Sequence, residues 1–286
     1  MHEFRTSIAA EITSLCSAST ALVACFLLAC LFLLDGVLPV HERPVPMQEM
    51  AFGNGTVFVV RDLALDHKYL PDHEQLCPFW LLLCLTSAVP LAAMTGGILV
   101  CQKVGDAVAF MHGYMMALAC MTVTVTCLKH YCGVLRPYFY GECGFSEATH
   151  TCLYDVADAH ESFPSGHSGH SFATLLFASL YLLGKVNAAK ARHVELPLLG
   201  RLEITNVLIL LSLAPTALAF WIAASRVVDN DHSPADVVGG GVIGATWASL
   251  WYGRYFPCIW AENSSSPAVC QKSGLEAPLA SLDCLC

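Results

Sequence analysis

Long apolar stretches alternate with shorter polar segments along this chain, and they predict transmembrane helices. A helix needs about 20 mostly apolar residues to cross a bilayer. Six stretches meet this requirement, and none carries Lys or Arg near its middle: roughly 15–35, 78–101, 107–128, 168–184, 204–224 and 234–253. The pattern predicts an all-α fold, a six-transmembrane helical bundle that forms a single integral-membrane domain over residues 1–286.

A cleaved signal peptide is the alternative reading of the first stretch. Its apolar run is longer than the run of about 7–15 residues in signal peptides, and no clear small-residue cleavage site follows it. The sixth stretch contains a run of glycines that would let neighbouring helices pack closely: Gly239, Gly240, Gly241 and Gly244.

Composition and charge agree with a membrane protein and argue against a water-soluble globular protein or a nucleic-acid-binding protein. Apolar residues make up 56% of the 286 residues and charged residues only 13%, too few to cover a globular surface in water. The net charge of −9 argues against a nucleic-acid partner, which would require a basic stripe. Many of the 15 cysteines lie inside apolar runs, where cysteine behaves as a small hydrophobic residue.

An even number of spans places both termini on one side of the membrane. A weak excess of Lys and Arg favours the cytosol for the termini, and the loop 185–203 is the clearest cytosolic segment. The long loops 36–77 and 130–164 then face the lumen or the exterior. Of the two glycosylation sequons, at Asn54 and Asn263, only Asn54 lies on that side.

The first of three polar clusters leaves the third predicted span on the non-cytosolic side. It runs from Lys129 to Pro137. If the segment is helical, Lys129 and Arg136 are seven residues apart and share one face, and Pro137 ends the helix. The alternative is an ordinary charged helix end at the head-group boundary.

The second and third clusters open the fourth and sixth predicted spans. Ser162-Phe-Pro-Ser-Gly-His167 combines a helix cap at Ser165, a flexible Gly166 and a histidine at a helix N-terminus, which is a natural anion site. In the segment from Ser225 to Asp236, His232 and Asp236 are four apart, so the aspartate can orient the imidazole. The alternatives are a capped helix with an incidental histidine and a polar turn.

Together these clusters suit a phosphate group. Arg and Lys neutralise its oxygens, one histidine can attack phosphorus, and the other can protonate the departing oxygen. A metal ion is not required for this chemistry, because the cations meet the developing charge.

The spacings resemble the three signature motifs of the type 2 phosphatidic acid phosphatases (PAP2), or lipid phosphate phosphatases. These motifs are K-x6-R-P, P-S-G-H and S-R-x5-H-x3-D, and every specified position is present in the right order. The motifs cover roughly residues 100–250, and the six-span layout covers the whole chain. The resemblance implies a helical core shared with vanadium haloperoxidases and glucose-6-phosphatase.

The resemblance also implies a role for each motif residue. His232 is the nucleophile that forms a phosphohistidine, Asp236 orients it, and His167 is the general acid. The positions that match phosphate-holding residues of the family are Lys129, Arg136, Ser165, Gly166 and Arg226. The implied enzyme is a magnesium-independent phosphohydrolase without cofactor or metal, acting on phosphatidic acid, lysophosphatidic acid or diacylglycerol pyrophosphate from the lumenal or extracellular side.

Several alternatives stay open at this point. The same chemistry could serve a polyisoprenyl diphosphate, a sphingoid phosphate or a sugar phosphate, and a catalytically silent lipid-binding relative is the alternative from another class. A disulfide between Cys143 and Cys152 is compatible with an oxidising compartment. His170 is expected to be a packed or interfacial histidine. The expected partners are a lipid phosphate and the bilayer, a homo-oligomer is left open, and no sorting signal identifies an organelle.

Overall fold

Helices make up most of the described chain and coincide with the second to sixth predicted spans. The computed structural model describes residues 27, 29–30, 39–51, 53, 57–101, 105–146, 148–154, 156–188, 204–261 and 264. Nearly all of the first predicted span, the asparagines of both sequons and most of the loop 185–203 lie outside these residues.

Eight α-helices are described, in the order α1 (Phe79–Cys101), α2 (Asp106–Cys132), α3 (Phe139–Cys143), α4 (Gly166–Ser171), α5 (Phe177–Ala188), α6 (Ile204–Ser212), α7 (Ala214–Val228) and α8 (Pro234–Tyr255). A π-helical turn, Phe172–Leu176, joins α4 directly to α5, and short 3₁₀ turns lie at Leu63–Leu65 and Ala157–His160. The prediction of a helical bundle is confirmed.

Three described segments are long and apolar enough to cross a membrane: Phe79–Leu99, Asp106–Cys132 and Asn206–Val228. Their outer faces expose large apolar side chains such as Leu99, Leu210 and Phe220, as expected of helices that face lipid. The fourth and sixth predicted spans are also helical. The π-turn divides the fourth span, and glycines lower the hydropathy of the sixth. The count of six spans stays a prediction.

The glycines of α8 allow this helix to lie against α4, as their pattern predicts. A Cβ at Gly240 would lie 2.3 Å from the backbone oxygen of Ser165, and one at Gly244 would lie 2.3 Å from that of Gly169. Only glycine accommodates such close backbone contact. The contact matters because α4 and α8 both begin with predicted site residues.

The opposite end of the bundle is held by an aromatic core and a buried ion pair. Phe110, Tyr114, Phe177 and Tyr252 belong to one cluster of buried side chains. Beside it, Lys185 at the end of α5 pairs with the fully buried Asp106 at the start of α2. The charges are compensated where they are buried, so this end can be tightly packed.

A small antiparallel hairpin, which the sequence analysis did not predict, lies beside the helices. Strands β1 (Met47–Ala51) and β2 (Val57–Arg61) pair with Met47 opposite Arg61. The hairpin is joined to α3 because the Tyr140 hydroxyl donates to the Pro46 carbonyl and accepts a hydrogen bond from the Asp62 amide at 3.3 Å. The hairpin is therefore attached to the segment between α2 and α4, in which α3 lies.

Candidate active site

The predicted site residues converge at one end of the bundle around a cavity of about 490 Å³. Five of them line it directly: Lys129, Arg136, Gly166, His167 and His232. The other three, Ser165, Arg226 and Asp236, lie buried behind this wall. Segments more than 100 residues apart in the sequence thus form a single site.

The start of α8 is built as a capping box around Asp236. The Ser233 hydroxyl accepts a hydrogen bond from the Asp236 amide, and Asp236 Oδ2 accepts one from the Ser233 amide at 2.7 Å. The same oxygen accepts a hydrogen bond from the Ser162 hydroxyl at 2.7 Å. This capping box fixes the carboxylate and starts the helix at Pro234, two residues after His232.

The expected hydrogen bond between Asp236 and His232 is not formed in this conformation. Asp236 Oδ2 lies 4.0 Å from His232 Nδ1, which is beyond hydrogen-bond distance. The two groups lie side by side, although His232 precedes α8 and does not share a helical face with Asp236. The capping role of Asp236 explains the longer distance, because Ser162 and Ser233 already compete for the same oxygen.

The start of α4 is joined to the start of α8. Ser165 caps α4 through its hydroxyl, which accepts from the Ser168 amide at 3.4 Å, and its own amide donates to the Asp236 carbonyl at 3.0 Å. A Cβ built at Gly166 would meet no described atom within 4 Å, because the cavity lies above it. The backbone at this helix start is therefore open to a ligand.

Burial and neighbouring cations favour the neutral form of both histidines. Burial lowers the pKa of His232 well below its ordinary value, and the charges of Arg136 and Lys129 lower it further. His167 precedes the predicted span 168–184, and burial together with the charges of Arg226 and Arg136 lowers its pKa to about 3. Among the described groups, its buried Nε2 has no hydrogen-bond partner.

The prediction that Lys129 and Arg136 share a continuous helical face is wrong. Helix α2 ends at Cys132 because Gly133 adopts a left-handed conformation, with φ of 55°, and its amide bonds back to the Lys129 carbonyl. Both cations nevertheless reach the cavity. Arg136 arrives through a separate loop, where its Nε donates to the Asp158 carbonyl at 3.0 Å.

Arg226 is fully buried and already surrounded by partners. Its guanidinium donates to Asp229 at 2.6 Å, to Asp231 at 2.8 Å and to Gln75 at 3.0 Å. The sequence analysis did not single out these three acceptors. The two aspartates lie in the third cluster and are visible there, whereas Gln75 is 151 residues away and no local signal indicates its contact.

Glu161 and His130 also border the cavity without having been predicted there. Glu161 Oε2 lies 3.7 Å from the Lys129 ammonium, and its Oε1 lies 4.0 Å from His130 Nε2. His130 belongs to the last turn of α2 and is buried. His170 borders the same cavity. Among the described side chains, no group of three His, Cys, Asp or Glu residues is arranged to hold a metal ion.

A disulfide crosslinks part of the segment that carries Arg136 and Ser162. Cys143 and Cys152 are bonded, which resolves the pairing left open by the sequence. The Cys143 carbonyl also accepts hydrogen bonds from the amides of Leu153 and Tyr154. Further along, the Ser162 amide donates to the Val134 carbonyl, so the loop returns to the end of α2 beside the site.

Comparison with known proteins extends the motif resemblance to the level of the chain. The family model of the PAP2 superfamily matches residues 109–260, which include all three motifs. Lipid phosphate phosphatase 2 of Arabidopsis thaliana is 31% identical, over 73% of this chain and 72% of the relative. Lipid phosphate phosphatase 1 of the same plant is 29% identical, over 77% of this chain and 66% of the relative.

A fungal relative is similar over a shorter region. Probable diacylglycerol pyrophosphate phosphatase 1 of Schizosaccharomyces pombe is 30% identical, over 49% of this chain and 51% of the relative. No solved structure matches the chain.

Proposed function

The chain belongs to the PAP2 superfamily, and from this premise we propose that it is a magnesium-independent lipid phosphate phosphohydrolase acting through a phosphohistidine. The observation that carries the proposal is the convergence of two neutral histidines and two cations on one cavity. Proteins named lipid phosphate phosphatase and diacylglycerol pyrophosphate phosphatase among its relatives support phosphatidic acid, lysophosphatidic acid and diacylglycerol pyrophosphate as the substrate class.

In the first step, neutral His232 attacks phosphorus through the ring nitrogen that faces away from Asp236. A nitrogen–phosphorus bond forms as the bond to the leaving oxygen breaks, and His167 gives its proton to that oxygen. The negative charges of a bound phosphate raise the pKa of His167, so the substrate itself makes this proton available.

In the second step, water attacks the phosphohistidine. His167 takes a proton from the water, the nitrogen–phosphorus bond breaks, and inorganic phosphate leaves with His232 restored. Asp236 stabilises the positive charge on the His232 ring in this cycle. A movement of roughly 1 Å would bring Nδ1 within hydrogen-bond distance of the carboxylate, and such contacts tighten when substrate binds.

The cations supply most of the electrostatic stabilisation. Lys129 and Arg136 border the cavity, and Arg226 lies directly behind Asp231. The open backbone at Gly166 offers helix amides to the same phosphate. Preorganised donors of this kind stabilise the charge that develops on the phosphoryl oxygens.

The shape of the cavity supports a lipid rather than a soluble substrate. One part is lined by Phe79 and Leu82 of α1 and by Leu118, Met121 and Val125 of α2. Both helices are apolar segments of membrane-spanning length. We propose that the acyl chain reaches this apolar part laterally from the lumenal or outer leaflet, with the termini of the protein in the cytosol.

The test is a phosphate-release assay across lipid phosphates, with purified wild type and His232→Ala in excess EDTA. The variant should lose activity by a factor of about 1,000 or more, because the phosphoryl acceptor is gone. The exposed His73→Ala is the matched control and should retain full activity. Acid-labile labelling by radioactive lipid phosphate should appear in the wild type and disappear in His232→Ala.

Robust turnover by His232→Ala would contradict the phosphohistidine mechanism. Complete loss of wild-type activity in EDTA would contradict the magnesium-independent reaction.

A further inference from the structure

Asp231, immediately before the proposed nucleophile, lies between two arginines of the site. Its Oδ2 accepts a hydrogen bond from Arg226 NH1 at 2.8 Å, and its Oδ1 lies 3.8 Å from Arg136 NH1. The carboxylate is buried and borders the cavity. One anion that bridges two guanidinium groups satisfies them much as a phosphate would, since guanidinium pairs with both in the same geometry.

The turn between α7 and α8 creates this bridge. Asn230 adopts a left-handed conformation with φ of 61°, which reverses the chain after Asp229. The amides of Asp231 and His232 then both donate to the Arg226 carbonyl, at 3.0 and 3.3 Å. Backbone and side chain of Asp231 are therefore both directed to Arg226, while His232 is placed beside the cavity.

Asp229 contacts the same arginine in a different way. Its Oδ2 accepts from Arg226 NH2 at 2.6 Å and from the Leu76 amide at 3.0 Å, on the side of the segment that precedes α1. Asp231, in contrast, borders the cavity where the ligand is expected. Asp229 thus holds Arg226 in place, whereas Asp231 covers the side of Arg226 nearest to the cavity.

We propose that Asp231 is an internal competitor for the phosphate subsite. Its carboxylate occupies the space between Arg136 and Arg226 until a substrate phosphate displaces it, because two anions cannot share that space without strong repulsion. Asp231 therefore limits the affinity for phosphate groups and promotes release of inorganic phosphate. The inference rests on the proposed function of the site.

The test is Asp231→Asn, which removes the charge and keeps the size of the side chain. Inorganic phosphate is the probe, and its binding is measured by the shift that it causes in the thermal midpoint of the detergent-solubilised protein and by its inhibition constant. Asp231→Asn should bind phosphate about tenfold more tightly, with a parallel fall in KM for lipid phosphate.

Two variants separate this effect from a general change in charge. Glu142→Gln removes a negative charge whose field also reaches Arg136, but Glu142 does not border the cavity, so phosphate affinity should stay within about twofold of wild type. Asp229→Asn loosens Arg226 and should weaken phosphate binding. Opposite effects of the two aspartate variants are the distinctive result.

Unchanged or weaker phosphate binding by Asp231→Asn would overturn the inference. Asp231→Ser gives the same test if the first variant does not fold, and failure of both to fold would mean that the carboxylate is a structural requirement and not a displaceable ligand. Tighter phosphate binding without hydrolysis of any lipid phosphate by the wild type would refute the proposed function alone.

Discussion

Single residues at this site act as much through the space they leave as through the groups they supply. Gly166 contributes no side chain, and the volume where a Cβ would stand belongs to the cavity. No described atom would clash with a Cβ there, so a need for glycine would come from the proposed phosphate ligand.

Gly166→Ala should therefore separate activity from stability. The thermal midpoint should stay unchanged or rise slightly, since alanine favours the first turn of a helix more than glycine does. The added methyl group should lower kcat/KM by about tenfold or more, because it occupies space needed by the phosphate. Steady-state kinetics and a melting curve on the same preparation measure both; a variant with normal kcat/KM would contradict the assignment of that space.

Helix α8 shows how one element sets the geometry of the site through its packing. Its glycine face presses against α4, and each of these helices starts beside one of the two histidines. A change in their separation would therefore alter the distance between His232 and His167, the proposed nucleophile and general acid.

Two alanine substitutions in α8 test this dependence. Gly244→Ala should lower the free energy of unfolding by about 1–3 kcal/mol and reduce kcat, because the new Cβ would lie 2.3 Å from the Gly169 carbonyl. Gly253→Ala is the matched control, since no described atom lies within 4 Å of its Cβ, and it should be neutral or slightly stabilising. Equal effects of the two variants would show that close packing at Gly244 is unimportant.

The elements also show where inference from sequence succeeds and where it stops. The helix start at Ser165 follows from a cap residue next to proline, and the glycines of α8 predict its close packing. The spacing of Lys129 and Arg136 favours a helix that reaches Pro137, whereas α2 ends at Cys132 because Gly133 adopts a left-handed conformation. The hydrogen bond between Gln75 and Arg226 depends on tertiary structure, which the local pattern of apolar and polar residues does not predict.

For the molecule as a whole, burying two neutral histidines makes stability depend on pH. The unfolded chain binds protons at His167 and His232 below a pH of about 6.5, while the lowered pKa values keep the folded protein from doing so. The unfolded state thus holds more protons in mildly acidic solution, and stability falls as pH falls. Each histidine accounts for up to about 2 kcal/mol at a pH of about 5.

The measurement is the thermal midpoint of the detergent-solubilised protein between pH values of about 7 and 5. The wild type should lose stability over this interval, and His232→Gln should lose less, because glutamine does not titrate. Taking the difference between the two proteins removes the contributions of groups common to both, including Asp231, whose pKa is raised by burial. Identical pH profiles would contradict the buried neutral state of His232.

The disulfide between Cys143 and Cys152 is a chemical marker of the compartment that its loop faces. Such bonds persist in the endoplasmic reticulum lumen or outside the cell and are rare in the reducing cytosol. The bonded loop lies at the same end as the catalytic cavity. The redox state of this pair in cells therefore reports which way the enzyme faces across the membrane, independently of any glycan, and places phosphate release in the compartment where the bond survives.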